Sequence, residues 1–230
     1  MPPCKEGARV PLAPSETRHL VLVLRARPGD VVSAVTPSGE RFRAVVDTVG
    51  SPTWLRIEAR LTSEEAFNGG PALLVAPPRA DRMSWLVEKA VELGSQRILP
   101  VATERGVVKA GGEAQVERWR RVAAAAVKQS GAQAPEILPM RPLAEALKNL
   151  DTPLLAAHPV AGSVPLAEAL AALSPGTLPC FAVGPEGGWS ESELALLEAA
   201  QARFVWLGRR TLRVETAAIA LLAAWEMKGT

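Results

Sequence analysis

Hydrophobic and polar positions follow two different rhythms along this chain. In WLRIEARL (54–61), apolar Leu55, Ile57, Ala59 and Leu61 alternate with Trp54, Arg56, Glu58 and Arg60, the period of two of a half-buried strand. RFRAVVDTV (41–49), placed after the turn residues TPSGE, reads as another strand. Short β-type runs of this kind occupy roughly residues 8 to 62, and TSEEAFNGGP (62–71) then breaks the pattern with polar residues and glycines, as a linker does. A domain boundary is predicted there, with a first domain over 1–68 and a second over 69–230.

Beyond the linker the rhythm changes. Apolar runs ALLVA (72–76), RILPV (97–101), PLLAA (153–157), PCFAV (179–183) and FVWL (204–207) predict strands, and helical segments lie between them. Helices are expected from about Arg82 to Leu93 closed by Gly94, from about Glu113 to Ser130 closed by Gly131, near 165–173, from Ser190, and from about Glu215. Leu86, Ala90 and Leu93 form one apolar stripe and Trp119, Val122 and Ala126 another, both read as core. Strand and helix in alternation imply an α/β fold, a mainly parallel sheet covered on both faces. Ligands of such sheets sit at the carboxyl ends of the strands.

Composition narrows the class. A chain of 230 residues, 48% of them hydrophobic, can bury a proper core. No apolar run approaches the roughly 20 residues a membrane span needs, and the opening MPPCKEGARVPLAPSE lacks the apolar centre of a secretory signal, so a cytoplasmic protein without a membrane partner is expected. Cys4 and Cys180 show no metal-ligand spacing and the only histidines are His19 and His158, which argues against a disulfide and against a metal site. The net charge of +2 does not announce a nucleic-acid binder, yet twenty of the 26 basic residues are arginine. Arginine suits bidentate phosphate contacts, and a high share of it equally follows from genomic composition or heat adaptation. In the first domain Arg25, Arg27, Arg41, Arg43, Arg56 and Arg60 form either a solvated face or an electrostatic footprint for RNA.

Two stretches carry candidate chemistry. FAVGPEGGWSESEL (181–194) runs from a strand through a glycine turn into a helix, as a phosphate loop does. Ser190 as N-cap with Glu193 three positions later makes a capping box, and Trp189 and Leu194 are placed as a hydrophobic staple. No Gly-Lys-Ser/Thr follows, however, and Glu186, Glu191 and Glu193 would repel an anion. What remains is either a turn that merely joins strand to helix or one whose glycines let the backbone approach a neutral or cationic ligand; adenosine attached to a sulfonium fits the latter. In LGRRTLRVETAA (207–218), a Leu-Gly turn leads into Arg209, Arg210 and Arg213, and Glu215-Thr216 opens an alanine-rich helix. Three arginines and a carboxylate at a strand's carboxyl end look like a site for an anionic substrate beside a small neutral pocket, or, taken alone, like solvated side chains.

Together with ETRHLVLVLRARPGD (16–30), RADRMSWLVEKAVELGSQRILPVATERGVV (79–108), ERWRRVAAAAVKQSG (117–131) and AHP (157–159), these stretches resemble, in order and spacing, the RsmE family of the SPOUT methyltransferases. The resemblance implies methylation of N3 of a uridine in the 16S ribosomal RNA of the small subunit, with S-adenosylmethionine as cofactor. It implies a small N-terminal PUA-like β-barrel for RNA binding and a C-terminal SPOUT domain whose end is tied into a trefoil knot, a topology that general connection rules exclude. It also implies a homodimer with the sites near the subunit interface. By the family pattern the cofactor lies among Ala157 and His158; Gly184, Pro185, Glu186, Gly187, Gly188 and Trp189; Leu207 and Gly208; and Leu212, Val214, Thr216 and Ala217. Arg18, Arg25, Arg82, Lys89 and Arg105 are the RNA-facing candidates, with Lys89 equally placed to pair with Glu92. One departure stands out: Ala132 occupies a position where the family commonly has arginine, and Arg105 or Arg121 are the candidates to replace it.

Methylation at a uracil N3 requires loss of the N3 proton and a base that is unpaired or flipped, because N3 lies on the pairing edge. Arg213 is expected to stabilise the uracilate or align the base. Glu215 is expected as its orienting partner or as proton acceptor, and equally as a carboxylate that suits a helix start. His158 is expected to order backbone or wall the pocket rather than act as general base. The alternative class is a catalytically inactive RNA-binding ribosome assembly factor that keeps the fold. A nucleotide-dependent phosphotransferase is disfavoured by the missing lysine and the lack of a carboxylate pair for Mg²⁺.

Overall fold

The structure is a computed structural model that describes residues 5–18, 20–21, 26–36, 41–60, 70–108, 112–148 and 150–228. Cys4, His19, Arg25 and the linker segment 61–69 lie outside the described residues, as does the side chain of Arg41. The chain divides into two compact units, Met1–Asn68 and Gly69–Thr230.

The first unit holds strands β1 (Arg9–Pro11), β2 (Val31–Val35), β3 (Arg41–Thr48) and β4 (Trp54–Arg60), with helix α1 (Pro14–Arg18). They form an antiparallel sheet in the order β1-β4-β3-β2. Among the described residues no pairing of β1 with β2 closes it into a barrel. The alternation of β4 is realised: Leu55 and Ile57 join Phe42, Ala44, Val46 and Leu20 in one buried cluster, while Arg56 and Arg60 are exposed. Some of the arginines on this unit are balanced within the sheet. Arg43 faces Glu58 at 3.6 Å, and Arg9 bonds Asp47 while lying 4.8 Å from the centre of the Trp54 ring. Exposed pairs of this kind contribute less than about 1 kcal/mol each.

The second unit is an α/β sandwich. Its elements are β5 (Ala72–Val75), α2 (Ala80–Glu92), β6 (Arg97–Ala102), α3 (Glu113–Ser130), β7 (Glu136–Ile137), β8 (Arg141–Pro142), α4 (Leu143–Lys148), β9 (Leu154–Ala157), β10 (Val164–Pro165), α5 (Leu166–Ala171), β11 (Cys180–Val183), α6 (Glu191–Ala199), β12 (Arg203–Trp206) and α7 (Val214–Lys228). Seven strands run in the order β10-β12-β9-β11-β5-β6-β7, with β8 paired to β6, and every pairing is parallel.

The central strands send alternate side chains to opposite faces. Leu73, Val75, Leu155, Phe181 and Val183 pack with helices α2, α3, α5 and α7, whereas Leu74, Leu154, Ala156, Cys180 and Ala182 pack with α4 and α6. Buried on both sides, these strands are apolar at every position, which is why they read as short continuous runs rather than alternations. The predicted stripes are core: Leu86, Ala90, Trp119 and Ala126 are buried, with Leu93 and Val122 packed against them. Gly94 and Gly131, both at φ +70°, occupy the left-handed positions that end α2 and α3. Ala132, the departure from the family pattern, is itself buried against this core. No helix among the described residues is long and apolar enough to cross a membrane.

Candidate active site

Strands β12, β9 and β11 lie side by side. The segments leaving their carboxyl ends converge on one cleft of about 360 Å³, together with the start of α7. Ala157, His158 and Pro159 end and follow β9; Val183 to Trp189, apart from Gly187, end and follow β11; Val205 to Leu212 end and follow β12; Val214 and Ala217 come from α7. Of the residues predicted to hold a cofactor, the structure brings together Ala157, His158, Gly184, Pro185, Glu186, Gly188, Trp189, Leu207, Gly208, Leu212, Val214 and Ala217. Gly187 and Thr216 do not line the cleft. Pro159, Val183, Val205, Trp206, Arg209, Arg210 and Thr211 line it in addition; five of these lie within the quoted motifs, and Val205 and Trp206 end the strand just before LGRRTLRVETAA.

The cleft has a mostly apolar floor and few formal charges. Val183, Val205, Val214 and Ala217 are buried, and Glu186 supplies a carboxylate at the rim. His158 is half-buried, its main-chain N–H donates to the Val205 carbonyl at 3.0 Å, and its ring meets Phe204 edge-on at 6.4 Å. Burial lowers its pKa from the ordinary 6.5, favouring the neutral imidazole. An adenosine with a sulfonium suits the apolar floor and Glu186; Arg209 and Arg210 add two cations to the lining.

The glycines of the 184–188 turn have a different reason from close ligand approach. A Cβ on Gly184 would stand 2.8 Å from the Trp189 indole, and one on Gly187 would stand 3.1 Å from the Arg105 Cβ. Gly188 has φ +71°, a conformation that costs other residues strain. Two of the three therefore make room for the protein's own side chains. The capping box at Ser190 is complete, with the Ser190 Oγ accepting from the Glu193 N–H and the Glu193 carboxylate accepting from the Ser190 N–H. Trp189 and Leu194 share one apolar cluster.

The catalytic candidates lie beside the cleft rather than in its wall. Arg213 is exposed, just before α7, and has no ion-pair partner among the described residues. Glu215 is buried in the first turn of α7, and its carboxylate pairs through Oε1 with the Arg82 guanidinium of α2 at 2.9 Å. The ion-pair partner of Glu215 is thus Arg82 rather than Arg213, and Arg82 is committed to that pair through one nitrogen, Nη1. Glu215 Oε2 is buried and has no hydrogen-bond partner among the described residues.

Two further RNA candidates are also engaged within the chain. Lys89 donates to Glu88 and Glu92, both at 2.8 Å, and these hydrogen bonds raise its pKa. Arg105 donates to the carbonyls of Gly187 and Trp189. Arg121, the other candidate to replace the missing arginine, bonds the Glu117 carbonyl one turn back in α3. Arg18 is exposed in the last turn of α1.

A cleft at the carboxyl edge of a parallel sheet, walled by the loops of three adjacent strands, defines the class: an α/β cofactor-binding domain. Residues 71–226 match the family model of the RNA methyltransferase domain. The chain is 28% identical to ribosomal RNA small subunit methyltransferase E of Synechocystis sp., covering 94% of this chain and 72% of that protein. It is 25% identical to the enzyme of the same name from Bacillus subtilis, covering 96% and 90%. The crystal structure of ribosomal RNA small subunit methyltransferase E from Neisseria gonorrhoeae bound to S-adenosyl methionine superposes with a TM-score of 0.74 at 31% identity, covering 98% of this chain and 94% of that one. The chain belongs to the RNA methyltransferase family and, within it, to the ribosomal RNA small subunit methyltransferase E (RsmE) group.

Proposed function

We propose that this protein methylates N3 of a uridine in the 16S RNA of the small ribosomal subunit, with S-adenosylmethionine as methyl donor. The observation that carries the proposal is the cleft, where twelve residues matching the family's cofactor pattern converge on an apolar floor with a neutral imidazole and a rim carboxylate. When bound, the cofactor supplies an electrophilic methyl on its sulfonium; the new C–N3 bond forms as the S–C bond breaks, and the N3 proton leaves.

The residues of this chain then have separable tasks. Glu186 supplies the one carboxylate of the cleft lining among the described residues, for the cationic part of the ligand, and His158, kept neutral, adds no charge to repel it. Arg213 stabilises the uracilate as the proton departs, its exposed guanidinium lying outside the cofactor wall where an RNA base can reach it. Glu215 is the proton acceptor: Arg82 holds Oε1, and Oε2, enclosed and without a hydrogen-bond partner among the described residues, has to be uncovered as the base enters. The arginines Arg209 and Arg210 at the cleft mouth, with Arg18 and Arg25 of the first unit, supply phosphate contacts.

The same reading assigns residues 1–68 to a PUA-like RNA-binding domain and 69–230 to a SPOUT domain whose cleft loops thread a trefoil knot. It makes the protein a cytoplasmic homodimer that needs no metal. Exposed Trp85 on α2, 47% accessible, is the kind of side chain a subunit interface covers.

The test is incubation with labelled S-adenosylmethionine and small ribosomal subunits that lack the modification, followed by mass-spectrometric mapping. Label on N3 of one uridine is expected. Binding of the cofactor without label transfer would identify an inactive assembly factor instead, and absence of both would overturn the proposal.

A further inference from the structure

We infer that Arg105 and Glu193, neither of which lines the cleft, are positioning residues for the cofactor: they suspend the Gly184–Trp189 turn from the loop that follows β6. The inference rests on the proposed function for the identity of the ligand. Its geometry is independent of that reading.

Four contacts join the two loops. One Arg105 nitrogen, Nη1, donates to the Gly187 carbonyl at 3.1 Å and to the Trp189 carbonyl at 3.2 Å. From the other side Glu193, 4% exposed, spans the gap with both oxygens. Its Oε2 accepts from the Ser190 N–H and its Oε1 from the Glu104 N–H, each at 2.8 Å. The capping carboxylate of α6 thus does a second job, tying the start of that helix to the residue before Arg105. Ser192 adds a hydrogen bond to the Glu104 carboxylate. Gly187 is glycine because the Arg105 side chain runs against it.

A turn with two adjacent glycines is loose by itself, since glycine loses more conformational freedom on ordering than any other residue. If nothing held it, ligand binding would have to order it and affinity would fall accordingly. Arg105 and Glu193 order it beforehand. Gly184, Pro185, Glu186, Gly188 and Trp189 then face the cleft in one arrangement. The alternative role for Arg105, a phosphate contact, makes a different prediction, because it leaves the cofactor untouched.

Calorimetry with S-adenosylmethionine and filter binding with small-subunit RNA, on the wild type and on Arg105→Ala, Arg105→Lys and Gly187→Ala, separate the two. Arg105→Ala is expected to weaken cofactor binding about tenfold or more, as loss of a charge-assisted donor to two carbonyls would. Its cofactor KM should rise by a larger factor than kcat falls, and RNA affinity and its salt slope should stay put. Arg105→Lys should recover part of the loss, because a single ammonium can still reach a carbonyl. Gly187→Ala keeps the guanidinium and displaces it, and should reproduce the loss even if Arg105→Ala proves too unstable to purify. Cofactor affinity within about twofold of wild type in either alanine variant would overturn the inference, as would a lowered RNA salt slope in Arg105→Ala with the cofactor unaffected. A wild-type protein that binds no S-adenosylmethionine would instead overturn the proposed function, and this inference with it.

Discussion

His158 and Glu215 show how single side chains set the conditions under which the cleft works. His158 has a pKa below the ordinary 6.5 because burial disfavours its charged form. Above that value the ring is neutral in both folded and unfolded chains, so it adds no pH dependence. Below it the unfolded chain takes up the proton first, and stability is lost as pH falls from 6.5 toward the folded value. Thermal melts from pH 8 to pH 5 should therefore show wild type losing stability relative to His158→Gln below about pH 6.5, while cofactor affinity should hold through that window, because the folded ring stays neutral there. For Glu215, Gln is the informative replacement, since it keeps the shape and removes the base; kcat should drop by about 10²–10³-fold with little change in cofactor affinity. Arg82→Ala should cost about 2 kcal/mol in urea unfolding, less than for a fully buried pair because the Arg82 side chain is 39% exposed. Cys180 sits in β11 with its thiol pushed up to about 12 by burial, so the native protein should leave a thiol reagent unreacted at this residue until denaturant is added. At this scale the cleft wall was largely legible, because the loops that form it are named by short motifs. The Lys89–Glu92 pair, three residues apart on one helix, was among the readings; the pairings of Arg82 and Arg105 were not, because their partners are remote in sequence: Arg82 and Glu215 are 133 residues apart.

Elements are held by local signals, and those signals differ in how well they can be read. Helix α6 begins at a complete capping box whose glutamate also grips the neighbouring loop. Ser190→Ala should lose about 1 kcal/mol from the cap, and because the loss falls at the edge of the cleft, cofactor affinity should drop with the melting temperature in parallel. Helix α3 was read over Glu113 to Ser130, with Gly131 closing it, and the structure has it there. The short strands β7, β8 and β10 and the helix α4 were not anticipated. Two-residue strands leave no period to detect, yet one signal was present: PLAEAL occurs at 142–147 and again at 165–170. Both copies fold alike, a two-residue strand ending at the proline followed by a six-residue helix. They cover opposite faces of the sheet, since α4 packs with Leu74 and Ala156 while α5 packs with Leu155 and Phe181. Local sequence chose the element, and the chain's path between strands chose the side.

On the scale of the whole molecule, the order of strands carries information that no window of sequence contains. The parallel arrangement was readable from the alternation of runs and helices, but the insertion of β11 between β9 and β5 follows from tertiary packing alone. The fully buried Phe181 lies in that strand, and Phe181→Ala should destabilise the second unit by about 3–5 kcal/mol. A chain ended after Gly176 lacks β11, and its circular dichroism should show helix without a cooperative thermal transition. The register pairs Cys180 to Val183 with Ala72 to Val75 on one side and Leu154 to Ala157 on the other. A ribosome making this protein therefore releases both neighbours of the gap before the strand that fills it exists. During that interval the growing chain presents two unsatisfied apolar strand edges, a state prone to mispairing. Assembly of the sheet's centre thus waits for β11, and the cleft, built on β9, β11 and β12, cannot exist until β12 and the start of α7 have also been made.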